Sequence, residues 1–427
     1  MANVKKGNNT RKKTVDKNKV INNKDKKVSG KKKKNNNKKV FIKKFKIDIL
    51  DVFIIIVFTA LISSVATGFI FNRQLKKYKS INEGLLYSES FSKFAQIYND
   101  VKNNYYEEVN EEEMLSAALD GMLNYLGDRY SIYLGDSDSN ELISSLEGAY
   151  DGIGIVCSSD LIVDVYEGSP AAKAGLKAGD SIVEINGTVL DRNVNIGSLI
   201  LKDDNNVIIV KRNNKLLTFN IKVDKVVLTS VNSELLEKEK NTIGYIKISS
   251  FSSNTYDQFV SQLKDLEDND IDSLIIDLRN NTGGYLNIAT KIASIFLDKG
   301  DVIYSLENKD EVKEYKDETK ENRSYKIVIL INSNTASASE VLAGALKDSY
   351  GATLVGVKSF GKGKVQTLLS YGDSIVKYTS SKWLRPNGEC VDEVGITPDK
   401  EVVNTVSGNT IYDNQLEESI NILIGKE

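Results

Sequence analysis

The stretch YKIVILINSNTASASEVLAGALKD, residues 325 to 348, joins a strand-like run to a helix-like run through a short polar segment. The first seven residues are rich in Ile and Val, as in a buried strand, and ASASEVLAGALKD has apolar residues at helical spacing. In α/β folds, ligands bind where strands end and helices begin. The polar segment is therefore a candidate site, and Thr335, Ser337 and Ser339 are candidate nucleophiles. A helix cap is the alternative role for these side chains.

The same alternation of strands and helices extends from about residue 240 to residue 356. The strand-like runs are TIGYIKIS, IDSLIIDLR, YKIVILI and ATLVGV, with helix-like runs such as TYDQFVSQLKDL between them. This order predicts an α/β core with largely parallel strand pairing. DLRNNTGG, residues 277 to 284, follows another of these strands and is the second candidate site.

The 427 residues include no histidine, so the commonest metal ligand is missing, and no metal or cofactor is expected. A serine nucleophile must then use a lysine or a carboxylate as its base. Lysine is protonated at its usual pKa of about 10.4, so a lysine base must be desolvated. VGVKSFGKGKVQTLL, residues 355 to 369, places lysines between glycines beside an apolar strand. Its glycines also approach a phosphate loop, but Gly363 stands where Ser or Thr is required.

The amino-terminal region predicts a membrane anchor. Residues 1–46 carry 19 Lys and Arg and two Asp, and VFIIIVFTALISSVATGFIF, residues 52 to 71, contains no charge. Twenty such residues can cross a bilayer as a helix, and basic residues remain cytoplasmic, so residues 72–427 are expected outside the cell membrane. A cleaved signal peptide is the alternative, although SVA is a poor cleavage site. Residues 72–427 hold 38 basic and 55 acidic residues, which argues against nucleic-acid binding.

Two further regions precede the α/β core. Residues 84–134 have apolar residues at helical spacing and predict a helical hairpin, with Asn110 as a cap before three Glu. EGSPAAKAGLKAGDSIVEINGTVL, residues 167 to 190, predicts a one-turn helix capped by Ser169, started by Pro170 and ended by Gly175. A strand follows that helix.

This segment, with YDGIGIVC at residues 150 to 157, resembles a PDZ domain. In such domains a glycine-containing loop offers N–H groups to a free carboxylate, and the ligand adds a strand to the sheet edge. The loop falls on Gly152, Ile153, Gly154 and Ile155, and both isoleucines are expected to contact the terminal side chain of the ligand. The alternative is a β-turn whose glycines supply positive φ.

Taken together, ASASEVLAGALKD, SFGKGKVQ, DLRNNTGG, the PDZ-like segment and KWLRPNGECVDEVGITPD at residues 382 to 399 resemble the carboxyl-terminal processing proteases, also called tail-specific proteases. The resemblance covers about residues 84–405. It implies a crotonase- or Clp-protease-like peptidase core and a Ser-Lys dyad, with Ser337 as nucleophile and Lys362, not Lys364, as base. It also implies that Gln366 orients the base.

The residues themselves agree with that assignment. Ser337 lies where a strand turns into a helix, so the Ala338 N–H is expected to face a developing oxyanion, with a second donor from the Gly283–Gly284 turn. Gln366 is expected four residues beyond Lys362 on one strand, and therefore on the same face, where the amide can accept a hydrogen bond from the amine.

The expected fold is a multidomain α/β and α+β protein. Its parts are a basic disordered arm, a transmembrane helix, a helical region, a PDZ-like domain, a serine peptidase core and a tail helix, at residues 1–46, 47–71, 72–145, 146–228, 229–405 and 406–427. The expected function is a single-pass, membrane-anchored serine endopeptidase that cleaves exported proteins near their free C-termini. The alternative is a membrane-anchored PDZ binding protein on an inactive peptidase core. A homodimer is compatible with the resemblance.

Three features depart from the family pattern. Thr282 stands where proline usually precedes the two glycines. The segment IGSLILKDDNNVIIVKR, residues 196 to 212, lacks the Arg-Gly-x-x-Gly run that is often found there. The tail after about residue 405 is short, which weakens the case for dimerisation through an extended C-terminal region.

Overall fold

The computed structural model describes residues 88–190, 195–202, 204–320, 322–407 and 410–426. The basic arm and the apolar run at 52–71 lie outside these residues, so the anchor stays a prediction. Within the described part of the chain, no helix is long and apolar enough to cross a membrane. The chain divides into two compact units, Met1–Asn104 and Tyr105–Glu427. In the first unit, α1 (Glu89–Asn104) is amphipathic and has no buried side chain.

The second unit begins with α2 (Glu111–Asn124), a short strand β1 (Ile132–Leu134) and α3 (Asp136–Glu147). The predicted cap of α2 is present: the Asn110 side chain accepts the N–H groups of Glu112 and Glu113 at 3.0 and 3.3 Å. The glutamates of this first turn suit the positive end of the helix dipole.

The predicted PDZ-like domain follows. Its elements are β2 (Ala149–Gly152), β3 (Ile155–Ser158), β4 (Leu161–Val165), α4 (Pro170–Ala174), β5 (Ser181–Ile185), β6 (Thr188–Val189), a 3-10 turn (Ile196–Leu199), β7 (Asn205–Arg212), β8 (Lys215–Lys222) and β9 (Asp224–Val227). The sheet order is β3-β4-β5-β7-β8, with β6 beside β5. In β7 and β8, exposed residues largely alternate with buried or half-buried ones.

The one-turn helix α4 forms as the sequence predicts. Ser169 Oγ accepts the Ala172 N–H at 3.2 Å, Pro170 is the first helical residue, and Gly175 ends the helix with φ of 94°. The Arg212 guanidinium pairs with the buried Asp180 carboxylate and donates to the Gly175 carbonyl at 2.8 Å. This pair lowers the pKa of Asp180 and fixes the end of the helix.

The PDZ domain joins the rest of the unit through a two-stranded antiparallel ribbon, β2 with β9. Ala149 lies opposite Val227 and Gly152 lies opposite Asp224, and the Leu228 N–H donates to the Gly148 carbonyl at 2.8 Å. The chain therefore enters and leaves the domain side by side.

The predicted peptidase core is built on one six-stranded sheet. Its strands are β10 (Val231–Lys238), β11 (Asn241–Ile248), β12 (Ser273–Asp277), β15 (Lys326–Ile331), β16 (Thr353–Gly356) and β19 (Lys400–Glu401), in that order. Every neighbouring pair is parallel except β10 with β11. Largely parallel pairing is thus confirmed, and burial on both faces explains the apolar runs at 274–276 of β12 and 327–331 of β15.

Helices cover the two faces of this sheet. The larger core cluster joins one face to α5 (Thr255–Glu267), α6 (Leu286–Ala293) and α7 (Ala338–Ala345). The C-terminal helix α8 (Asn414–Ile424) places Ile422 against the other face, where Ile275 and Val328 point. Successive side chains of a strand alternate between faces, so each central strand contributes to both cores.

A second, antiparallel sheet was not predicted. It consists of β1, β18 (Ser374–Leu384), β13 (Val302–Glu307) and β14 (Val312–Lys316), with β17 (Lys364–Tyr371) paired to β18. Ile132 of β1 lies opposite Lys377 of β18. A strand from the region predicted as wholly helical therefore completes a sheet of the peptidase core.

Candidate active site

Ser337 lies between β15 and α7, at a sharp turn. Its φ is 57° and its ψ is −119°, a conformation that costs a residue with a side chain about 1–3 kcal/mol. The Ser339 N–H donates across the turn to the Ala336 carbonyl at 3.2 Å, and the Val341 N–H donates to the Ser337 carbonyl at 3.0 Å. The turn places Ser337 at the wall of a cleft of about 580 Å³.

The neighbouring hydroxyl groups have structural partners. Thr335 Oγ1 donates to the Leu278 carbonyl and Ser339 Oγ donates to the Asn281 carbonyl, both at 2.9 Å. Both side chains are fully buried. Among the three hydroxyl groups considered from the sequence, Ser337 is the one that lines the cleft.

Glu340 organises the site, and the sequence analysis did not identify it. Its fully buried carboxylate accepts four hydrogen bonds. Oε2 accepts the N–H groups of Ser337 and Lys362 at 2.8 and 2.9 Å, and Oε1 accepts Ser359 Oγ at 2.6 Å and the Gly361 N–H at 2.8 Å. A Glu three residues after a serine cap is a recognisable signal, because it is the capping-box position.

Burial raises the pKa of the Glu340 carboxyl, while the four hydrogen bonds oppose that rise. All four partners are donors, so they match an ionised carboxylate, which can only accept. One oxygen atom thereby fixes the backbones of both Ser337 and Lys362.

Lys362 lies in the loop before β17, and its side chain also lines the cleft. Trp383 Nε1 donates to the Lys362 carbonyl at 2.9 Å, which holds the loop against β18. Burial lowers the pKa of the Lys362 amine, and the positive charge of Lys377 lowers it further. Both effects favour the neutral amine that a general base needs. The amine lies 4.9 Å from the ring centre of Tyr130, whose face attracts a cation.

Lys364 is in a different electrostatic position from Lys362. Its amine pairs with the Asp128 carboxylate at 3.3 Å. Asp128 also accepts hydrogen bonds from Ser131 Oγ and Thr379 Oγ1, both at 2.6 Å. These bonds hold the pKa of Asp128 below its usual value. The Lys364 amine is thus engaged in an ion pair, which makes Lys364 the poorer candidate for the base.

The Gly283–Gly284 turn borders the serine loop. Gly283 has φ of 107°, and a Cβ there would come within 2.9 Å of Ser337 Cβ; Gly284 has φ of 141°, and a Cβ there would come within 2.2 Å of the Phe251 carbonyl oxygen. Glycine is therefore required at both positions. The Gly283 N–H donates to Asn281 Oδ1 at 2.9 Å, so this predicted oxyanion donor already has a partner. The Gly284 N–H and the first helical N–H, Ala338, are the better candidates.

Gln366 lines the same cleft, but the strand argument for its role was wrong. Lys362 precedes β17, and a register shift falls between Val365 and Gln366, so Lys362 and Gln366 do not share the face of one regular strand. The Gln366 amide donates to the Lys364 carbonyl at 3.1 Å and to Thr379 Oγ1 at 3.4 Å. Its carbonyl oxygen is the atom that would accept from the Lys362 amine.

The loop after β12 is anchored by an ionic cluster that sequence reasoning did not identify. Arg279 binds Asp277 with two nitrogen atoms and binds Asp413, the cap of α8, at 2.7 Å. The Tyr245 hydroxyl donates to Asp277 at 2.7 Å. These contacts connect the C-terminal helix to the loop that carries Gly283 and Gly284.

The PDZ loop borders a groove of about 350 Å³. Gly152, Ile153, Gly154 and Ile155 all line it, together with Ile196, Ile200 and Val223. Ile153 is only 4% exposed and belongs to the domain core, so it supports the loop more than it presents a contact surface. In the described residues, no group of His, Cys, Asp and Glu is placed to hold a metal ion.

Comparison with known proteins agrees with this architecture. Residues 242–402 match the model of peptidase family S41, residues 161–211 match a PDZ domain, and residues 64–138 match the N-terminal domain of the activating protease CtpB. The chain is 34% identical over 361 residues to the carboxy-terminal processing protease CtpA of Bacillus subtilis (strain 168). The aligned region covers 82% of this chain and 76% of CtpA. The chain is also 34% identical over 322 residues to CtpB of the same organism, covering 73% and 67%. The chain therefore belongs to the S41 peptidases, as a carboxyl-terminal processing serine protease with a PDZ domain.

Proposed function

We propose that this protein is a membrane-anchored endopeptidase that cleaves exported proteins near their C-termini with Ser337 as nucleophile and Lys362 as base. The observation that carries the proposal is that Ser337 and Lys362 donate to the same carboxylate oxygen of Glu340. Its Oε2 accepts the N–H groups of Ser337 and Lys362, so both residues are fixed at the wall of one cleft. Partial desolvation of the Lys362 amine supports its role as a base.

The chemistry follows the general scheme for an activated nucleophile. The neutral Lys362 amine takes the proton of Ser337 Oγ as this oxygen attacks the scissile carbonyl carbon. The oxyanion accepts hydrogen bonds from the Ala338 and Gly284 N–H groups. The Lys362 ammonium, which faces the Tyr130 ring, then gives its proton to the leaving amine. The neutral Lys362 amine then takes a proton from a water molecule as the water oxygen attacks the ester carbonyl carbon, and it gives this proton to Ser337 Oγ as the ester C–O bond breaks.

The PDZ groove is proposed to bind the free C-terminal tail of the substrate. The Gly152–Ile155 loop supplies backbone N–H groups for a carboxylate, and Ile196, Ile200 and Val223 supply an apolar wall beside it. A tail that ends in an apolar residue suits this groove.

The anchor and location are proposed from the sequence. The uncharged run at 52–71 is long enough to span a bilayer, and the basic arm before it sets a cytoplasmic N-terminus. The catalytic part would then lie outside the cytoplasm. An enzyme with its catalytic part outside the cytoplasm has access to exported proteins, which are therefore the proposed substrates.

The test is proteolysis of an unfolded protein such as casein by the full-length protein in detergent. We expect cleavage by the wild type and none by Ser337→Ala, with retained folding checked by circular dichroism. Ser333→Ala is the matched control, because Ser333 lies in the same polar segment without lining the cleft. Equal cleavage by wild type and Ser337→Ala would overturn the assignment of the nucleophile. Cleavage by neither protein would favour the PDZ binding protein on an inactive core.

A further inference from the structure

The charges that line the active-site cleft are all positive. Lys362, Lys364 and Lys377 line it, and no Asp or Glu is among its lining residues in the described part of the chain. Lys362 serves as the base in the proposed function, and Asp128 neutralises Lys364. Lys377 lowers the pKa of the Lys362 amine, but the proposed mechanism gives its own amine no contact with the substrate.

Lys377 lies in the middle of β18, between Ile132 of β1 and Leu368 of β17. The side chain is half-buried, and burial lowers the pKa of its amine. Its amine has no carboxylate within ion-pair distance among the residues that the structure describes. A cation that is partly removed from water without an anionic partner is unfavourable, and it attracts an anion that enters the cleft.

We propose that Lys377 binds a carboxylate of the substrate and thereby determines the specificity of the cleft. Apolar residues supply much of the remaining wall, among them Leu142, Leu146, Leu368 and Trp383. The preferred peptide therefore combines apolar side chains with one negative charge close to the scissile bond. The carboxylate has two sources, an Asp or Glu side chain or the α-carboxylate at the substrate's own C-terminus. This inference rests on the proposed function, because it takes the cleft beside Ser337 as the place of cleavage.

Four peptides with one common apolar cleavage sequence test the proposal. One has Glu near the scissile bond and an amidated end, and its neutral partner has Gln at that position. One has no acidic side chain and ends in a free carboxylate near the scissile bond, and its neutral partner is amidated. Full-length wild type is compared with Lys377→Met and Lys377→Arg. Lys382→Met is the matched control, since Lys382 lies on the same strand but is exposed and does not line the cleft.

We expect wild type to cleave at least one acidic peptide with a kcat/KM about 10-fold to 100-fold above that of its neutral partner, as for a hydrogen bond between charged groups. Lys377→Met should abolish this preference, mainly through KM, whereas Lys377→Arg and Lys382→Met should keep it. The pair of peptides that shows the preference identifies the source of the carboxylate.

Two outcomes overturn the proposal. The first is that wild type cleaves acidic and neutral partners equally. The second is that Lys377→Met keeps the preference and lowers the rate for all four peptides alike, which would mean that Lys377 acts only through the pKa of the Lys362 amine. Binding of the same peptides to Ser337→Ala, followed by fluorescence anisotropy, tests the carboxylate preference without cleavage. If Ser337→Ala binds acidic peptides more tightly than their neutral partners but wild type cleaves none of the four, the proposed catalysis is refuted and the carboxylate site is supported.

Discussion

Glu340→Gln is the most informative single change in this site, because it alters the acceptor that Ser337 and Lys362 share. The carboxylate accepts four hydrogen bonds, two on each oxygen. A glutamine amide keeps one oxygen, so two donors lose their acceptor and meet an NH₂ group instead. The substitution therefore breaks the bonds either to Ser337 and Lys362 or to Ser359 and Gly361.

The size of the effect follows from these bonds. Hydrogen bonds to a charged group contribute about 1.5–3 kcal/mol each, so two lost bonds cost about 3–6 kcal/mol. Part of this loss is offset, because burial of the charge is itself unfavourable and raises the pKa of Glu340. We expect the free energy of unfolding to fall by about 1–4 kcal/mol. We expect kcat to fall on the order of 100-fold, since a displacement of about 1 Å between reacting groups has that effect.

The assay is steady-state cleavage of a fluorogenic peptide, with thermal unfolding measured on the same samples. Glu267→Gln is the matched control. The Glu267 carboxylate accepts bonds from Arg323 Nε and the Tyr325 hydroxyl, both at 2.6 Å, at the end of α5 and outside the cleft. The Glu267→Gln protein should be less stable than wild type and should keep the wild-type kcat. A folded Glu340→Gln protein with a kcat within about threefold of wild type would refute the idea that this carboxylate assembles the dyad.

Three further predictions concern the base and the PDZ groove. Lys362→Arg should be nearly as inactive as Lys362→Ala in peptide cleavage, because arginine does not deprotonate. Lys364→Ala should lower the cleavage rate only slightly. A cleavage rate of Lys362→Arg above about a tenth of the wild-type rate would contradict the dyad. The kcat/KM should rise with pH through an apparent pKa below the usual lysine value of about 10.4, because burial and Lys377 lower the pKa of Lys362 and only the neutral amine is active; a flat profile from pH 6 to 10 would argue against a lysine base. A peptide with an apolar C-terminal residue should stimulate cleavage of an unrelated substrate about 5-fold to 150-fold, and its amidated twin should not; equal effects would show that the groove does not recognise the carboxylate.

Much of the fold follows from local patterns in the sequence. The parallel strands are apolar runs bounded by polar turns, and α4 is specified by Ser169, Pro170 and Gly175 within a few residues of one another. The antiparallel sheet was missed because its strands come from distant parts of the chain and β1 has only three residues. Pairing of such strands depends on tertiary contacts that no local window contains.

Only those parts of the active site that depend on local sequence patterns were predictable from the residues themselves. The position of Ser337 at a strand–helix junction could be derived from the sequence, and its assignment over Thr335 and Ser339 came from the family resemblance. The partner of Arg279, Asp413, could not be found, because the two residues are 134 positions apart in the chain. The argument for Gln366 failed because it assumed a regular strand from Lys362 onwards, whereas β17 starts at Lys364 and contains a register shift.

The ribbon that joins the PDZ domain to the core has a mechanical consequence. Leu146, near the end of α3, lines the active-site cleft, and Gly152, the last residue of β2, lines the PDZ groove. Only five residues separate them, and β2 is one of the two ribbon strands. A peptide in the groove and a peptide in the cleft would thus contact residues at opposite ends of the same short backbone segment. Residues 146–152, which include ribbon strand β2, therefore carry a lining residue of each site and form a short covalent connection between them.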